Sequence, residues 1–228
     1  MLVQTRYATE SDVCDIAGIN ITSFRPQPFY QTAFANVNDS SLYPLKYARL
    51  LNRLGDPTAH VHVATDAETG QVVGSARWVI PGHLLQRSAH QTVSLSEDAK
   101  CKAADPGRFM PPGVNQQAYT AFLGMLNESR KKNLKDGDMS LDFLAILPAY
   151  QGNGIGTQLL KWGMGQADAL NARIYLEASA EGYPLYCKYG WKVIEEIVLD
   201  FGVFGGRNTA TYFVMMRDPV PNREENIQ

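Results

Sequence analysis

The sequence predicts an α/β protein, with strands and helices mixed along one chain, and three observations carry that expectation. Of its 228 residues 45% are hydrophobic, enough to bury one sizeable core. Residues 141–162 run from a short apolar segment, through a turn holding three glycines, into a helical pattern. The periodicity of apolar positions switches along the chain in the order β-α-α-β-β-α-β-α-β-α-β-β. No internal repeat or second core interrupts that order. One domain is therefore expected over residues 1–217, with 81–113 as an irregular insertion and 218–228 as a polar, fraying tail.

Each element follows from local signals. Leu2 to Tyr7 alternates as a strand does, and Thr9 or Ser11 can cap the helix behind it. Val13, Ile16, Ala17, Ile21 and Phe24 fall on one face of that helix, which Arg25-Pro-Gln-Pro28 breaks. Residues 25–41 lose periodicity, and a second helix is expected from Tyr43 to Leu54, stopped by Gly55-Asp-Pro57. His60 to Thr65 and Gln71 to Ile80 read as strands joined by a five-residue loop ending in Gly70. A stretch as long as 81–113 inside a compact domain is expected to be functional or to carry short helices.

Asn115 to Leu134 is helical, with Ala118, Phe122, Met125 and Leu126 as its apolar stripe. The apolar run Leu141-Asp-Phe-Leu-Ala-Ile-Leu147 is a buried strand that Pro148 ends, since proline cannot donate to a ladder. Ile155, Leu159, Leu160, Gly163 and Ala167 then recur at helical spacing to about Leu170, and Arg173 to Ala178 is the next strand. Ala180 to Tyr189 is a short helix with Pro184 in its first turn and Gly190 as its C-terminal cap. Trp191 to Phe201 and Thr209 to Arg217 form the last hairpin.

Composition limits the partners. A net charge of -2 with 19% charged residues is no electrostatic footprint for nucleic acid or an anionic membrane. No apolar run reaches transmembrane length, and the N-terminus enters a strand pattern in place of a signal peptide. Cys14, Cys101 and Cys187 are odd in number, far apart and without metal-ligand spacing, as in a reduced cytoplasmic protein with no bound metal.

The glycine turn carries the chemistry. The first amides of a helix lack internal partners, and the macrodipole favours negative charge there. Glycine lets the backbone approach a diphosphate and adopt positive φ. The turn lacks the Gly-Lys-Ser/Thr of a P-loop, and Gly152-Asn-Gly154-Ile-Gly156 brings its third glycine one residue early for a Rossmann fingerprint. Gln151-x-x-Gly154-x-Gly156 resembles instead the pyrophosphate loop of the GCN5-related N-acetyltransferase (GNAT) superfamily, Gln/Arg-x-x-Gly-x-Gly/Ala. The strand before it and the later Leu185-Tyr-Cys-Lys-Tyr-Gly-Trp191 resemble that superfamily too, in family order and spacing. The combined pattern, with Lys161-Trp-Gly and Leu176-Glu-Ala-Ser-Ala-Glu-Gly-Tyr-Pro-Leu-Tyr186, resembles a broad fungal branch.

The resemblance implies the GNAT acyl-CoA N-acyltransferase fold, a central mixed, mostly antiparallel sheet flanked by helices, with acetyl-CoA as donor and CoA as product. It implies that the strands at 141–147 and 173–178 splay, so that backbone groups of Leu144, Ala145, Ile146 and Leu147 pair with the pantetheine amides. Gln151, Gly152, Asn153, Gly154, Ile155, Gly156 and Thr157 would hold the diphosphate. Ser179 would meet the pantetheine or adenine side, or else cap the next helix.

Tyr186 occupies the family position of the tyrosine that protonates the leaving thiolate, with Tyr183 and Tyr189 as local competitors; a buried tyrosine whose hydroxyl is hydrogen-bonded is the alternative. Asp142 is a carboxylate in an apolar strand, which period-two geometry sets on one face with Leu144 and Ile146. It reads as proton acceptor or substrate contact, or as the structural partner of an arginine, with Glu177 as second candidate. Phe29, Tyr30 and Phe34, with the region 81–113, are expected to wall the acceptor site. His60 and His62 are expected to be packed or solvent-facing, and Cys187 to be a buried thiol.

The expected function is direct acetyl transfer from acetyl-CoA to a primary amine of a small molecule. The alternatives are a protein or peptide N-acetyltransferase, a CoA-binding module without turnover, and a nucleotide-binding domain. Oligomeric state and the acceptor's identity are not legible in the sequence.

Overall fold

The computed structural model describes residues 2–87 and 93–221. Most of the expected tail, from residue 222 on, and residues 88–92 of the expected insertion lie outside them. The strands are β1 (Val3–Tyr7), β2 (Ala59–Asp66), β3 (Val72–Val79), β4 (Met139–Ile146), β5 (Ile174–Ser179), β6 (Lys192–Asp200) and β7 (Thr209–Arg217). The helices are α1 (Val13–Phe24), α2 (Pro28–Ala33), α3 (Asp39–Leu54), α4 (Glu97–Ala104), α5 (Gln116–Asn133), α6 (Ile155–Leu170) and α7 (Tyr183–Lys188).

All seven strands form one sheet in the order β1-β2-β3-β4-β5-β7-β6. Every pairing is antiparallel except β4 with β5. The fold is thus a mixed, mostly antiparallel sheet with helices on both faces, as the sequence predicted. On one face α6 packs on β3 and β4 through Leu159, Leu160 and Ala167. On the other, Ile16 and Ile19 of α1 and Leu50, Leu51 and Leu54 of α3 meet Val61 and Val63 of β2.

One helix escaped the sequence reading, and another falls where short helices were expected. α2 lies where periodicity is lost, and it starts at Pro28, whose fixed φ suits a first helical position. α4 lies within 81–113, capped by Ser96, whose side chain accepts from the Ala99 amide. α3 begins a turn earlier than expected, because Asn38 caps it and Pro44 is carried inside the helix.

Gly163 shows how close α6 lies on the sheet. A Cβ there would stand 2.3 Å from the ring of Trp78, which is fully buried in β3. Gly163→Ala is expected to destabilise the protein by about 2–3 kcal/mol, since neither ring nor helix has room to move. A melting temperature within a degree of wild type would show that the helix can ride outward at no cost.

Candidate active site

The parallel pair β4–β5 builds the site by coming apart. Their pairing covers only Met139 with Ile174, Ser140 with Tyr175 and Leu141 with Leu176. β4 continues to Ile146 held by β3, and β5 continues to Ser179 held by β7. The inner edges from Asp142 and Glu177 onward face each other unpaired across a wedge. They line a cleft of about 640 Å³.

A bulge marks where the wedge starts. The β3–β4 register slips between Arg77 and Trp78, which pair with Phe143 and Leu141, so Asp142 has no partner across the ladder. Such a bulge re-aims a side chain. It corrects the simple alternation: Leu141 packs with Leu144 and Ile146 against α6, while Asp142 meets arginines from β3 and α5.

At the wide end of the wedge, residues 148–150 make a short turn and the chain enters the glycine loop. Gly152 and Gly154 adopt φ of +78° and +76°, a region that costs other residues about 1–2 kcal/mol. The Gln151 side chain donates to the Ile146 carbonyl at 3.0 Å, and Asn153 donates to the carbonyls of Tyr150 and Gln151. These two side chains brace the loop, and Asn153 stands outside the cleft lining. Among the described residues the amides of Gly152 through Thr157 find no acceptor in the chain, the last three because they open α6. Six free donors in one turn, with a helix N-terminus behind them, fit a diphosphate.

Leu144, Ala145 and Ile146 line the cleft, as do Gln151, Gly152, Gly154, Ile155, Gly156, Thr157 and Ser179. Leu147 does not, because its amide donates to the Val73 carbonyl at 2.9 Å. Ser179 Oγ accepts from the Gly182 amide at 3.4 Å, in the turn that leads into α7.

Of the three tyrosines near α7, Tyr186 alone lines the cleft. Its ring packs edge-on against Trp191, and its hydroxyl makes no hydrogen bond within the chain among the described residues. Burial pushes the phenol well above its ordinary range, so it keeps its proton. Tyr189 instead donates to Thr157 Oγ1 at 3.2 Å, and Tyr183 packs on Phe213. With α7 turning Tyr186 inward, Cys187 beside it is exposed, not the buried thiol expected.

Asp142 and Glu177 both line the cleft, and arginines occupy both. Arg130 donates from Nε and one terminal nitrogen to the two oxygens of Glu177 at 2.8 and 3.0 Å, and lies 3.3 Å from Asp142. Asp142 also accepts from Ser140 Oγ at 2.9 Å and lies 3.9 Å from Arg77. Burial alone would raise the Asp142 carboxyl, but Arg130, Arg77 and Ser140 outweigh it and hold it below the usual carboxylate range. The carboxylate is thus held in a cluster with both arginines at the mouth of the wedge.

Phe29 and Tyr30 of α2 line the cleft, with Phe29 stacked 3.9 Å from Phe122 of α5. Phe34 lies behind them, fully buried. No described residue of 81–113 reaches the cleft. Leu95, Ala99 and Ala103 pack instead against α3, because their apolar face is needed to cover it. His60 and His62 are buried beside Trp162 on the far face.

Sequence reasoning missed four cations of the cleft: Lys46 and Arg49 of α3, Arg77 of β3 and Arg130 of α5. Arg77 was open to the argument used for Asp142, a charge inside a buried strand. The others stand on helices, where basic residues are ordinary and no spacing marks them.

Comparison with known proteins agrees with the geometry. The acetyltransferase (GNAT) domain model matches residues 116–204. An acetyltransferase of the fungus Stachybotrys chartarum is 24% identical over 199 residues, 84% of this chain and 81% of that one. A Corynebacterium glutamicum structure described as histone acetyltransferase HPA2 and related acetyltransferase shares the fold with a TM-score of 0.59 and 20% identity, over 98% of this chain and 99% of that one. A PaiA N-acetyltransferase from Thermoplasma acidophilum in complex with coenzyme A shares it with a TM-score of 0.50 and 14% identity, over 96% and 99%. Residues 116–204 thus carry the pattern of a GNAT domain, and the chain shares the fold of these solved acetyltransferases. Among the described residues no helix is long and apolar enough to cross a membrane.

Proposed function

We propose that the protein transfers the acetyl group of acetyl-CoA directly to a primary amine of a small molecule, as one cytoplasmic domain over residues 1–217. The observation that carries this reading is the wedge between β4 and β5 opening onto six free amides at the start of α6. A relative's structure described in complex with coenzyme A supports the choice of carrier.

In this reading the amides of residues 152–157 hold the diphosphate, and the inner edge of β4 at Leu144 to Ile146 receives the pantetheine as an added strand. Acetyl-CoA supplies the activated thioester. Phe29 and Tyr30 wall the acceptor amine. Asp142 and Glu177, both paired with Arg130, stabilise the positive charge that grows on the nitrogen as it attacks, and its proton leaves to water in the cleft. Tyr186 donates its hydroxyl hydrogen to the departing sulfur. A cleft of about 640 Å³, the size of small-molecule sites, supports a small acceptor over a protein chain.

The test is thiol release from acetyl-CoA across polyamines, amino acids, aminoglycosides, arylamines and peptides. Turnover confined to small amines is expected. Turnover of peptides alone, or CoA binding without turnover, would replace this reading with one of its alternatives.

A further inference from the structure

Two cations in the cleft have no carboxylate to answer them among the described residues. Lys46 and Arg49 stand one turn apart on α3, and both line the cavity. Among the described residues neither lies within ion-pair distance of an aspartate or glutamate. The Lys46 ammonium sits 4.4 Å from the centre of the Tyr30 ring and 5.4 Å from that of Phe34. Arg49 donates to the Tyr119 hydroxyl, a neutral partner. Arg77 adds a third cation, and among the described residues its buried Nε makes no hydrogen bond.

Arg77 and Arg130 balance Asp142 and Glu177 as one mixed cluster. Glu181, the other acid of the cleft, is bonded to Gln27. Lys46 and Arg49 are left over. An unanswered charge in a desolvated wall is costly, and an aliphatic residue would serve packing better. Burial first, then the charges of Arg49 and Arg77, push the Lys46 ammonium down to about 7.

We propose that Lys46 and Arg49, with Arg77 behind them, form a carboxylate-binding subsite, so that the acetyl acceptor is a small molecule carrying both a primary amine and a carboxylate. This deepens the proposed reaction and rests on it. The planar guanidinium of Arg49 suits a carboxylate, and the Lys46 ammonium adds a point charge beside it.

Calorimetry tests the subsite on protein saturated with CoA, so that the glycine loop is already filled. Succinate should bind saturably and putrescine should not. Lys46→Met and Arg49→Gln should each weaken succinate by about tenfold or more, with CoA affinity kept within about twofold as the check on folding. In thiol release, L-amino acids should exceed their own carboxamides by about tenfold or more in kcat/KM, and that ratio should fall toward one in the Lys46 variant. Carboxamides or polyamines used as well as acids would overturn the subsite. So would inorganic phosphate bound in preference to succinate, or succinate bound equally by the variants. Failure of CoA itself to bind would instead remove the reading beneath it.

Discussion

Replacing Arg130 with methionine is expected to cost about 3 kcal/mol of stability, lowering the melting temperature by about 6–12 °C. The side chain is 30% exposed, while the two carboxylates it bridges, Asp142 and Glu177, are 3% and 7% exposed. Removing it strands two charges in a poorly hydrated wall, with Arg77 3.9 Å from Asp142 and Ser140 still bonded to it. The loss should depend on pH in a telling direction. In the wild type the Asp142 carboxyl sits below its ordinary value, so its contribution is present above the unfolded pKa and disappears in acid. Without Arg130, burial dominates and the folded pKa rises above the unfolded one. The variant then loses stability as pH rises through that raised value, so the deficit is larger near about pH 8 than near about pH 5. Thermal melts of both proteins across that range measure it. A deficit that is equal throughout would mean that the arginine contributes packing alone.

Tyr186→Phe separates chemistry from folding. Among the described residues its hydroxyl has no hydrogen-bond partner, so deleting it should move the melting temperature by less than about 1 °C. In the proposed reaction the same deletion removes the donor to the leaving sulfur, and kcat should fall by about 100-fold with the KM for acetyl-CoA little changed. A loss of stability with intact kcat would return Tyr186 to the role of a core aromatic. Tyr189→Phe, which breaks only the contact with Thr157, should leave kcat near wild type.

How much of this was legible beforehand depends on the range of each cause. Local causes were readable. The Gly152–Gly156 turn, Pro148 at the strand end, Gly190 closing α7 and the period-two strands all act within a few residues, and they appear where expected. Tyr186 was readable because its motif fixes which face of a short helix turns inward. What failed to show was whatever depends on a second segment. The bulge at Asp142 arises from pairing with β3, and it changed that residue's surroundings from a strand face to an arginine cluster. The two ion pairs of Arg130 join residues 12 and 47 positions away, and no spacing signals them. Residues 81–113 looked irregular because α4 is short and covers α3, a need visible only once α3 is in place. Lys46 and Arg49 follow the same rule: each is an ordinary helix cation until α2, α5 and β3 enclose it.

Calorimetric titration of CoA, and of pantetheine lacking the diphosphate, into wild type and Gly154→Ala tests the central claim most directly. A Cβ at Gly154 meets no atom of the protein within 4 Å, so the substitution acts on the left-handed loop backbone and on what the loop holds. CoA should bind the wild type about 100-fold more tightly than pantetheine does, and the variant should lose about tenfold in CoA affinity while pantetheine is unaffected. Pantetheine bound as tightly as CoA, or CoA bound unchanged by Gly154→Ala, would contradict a diphosphate held by the amides of residues 152–157.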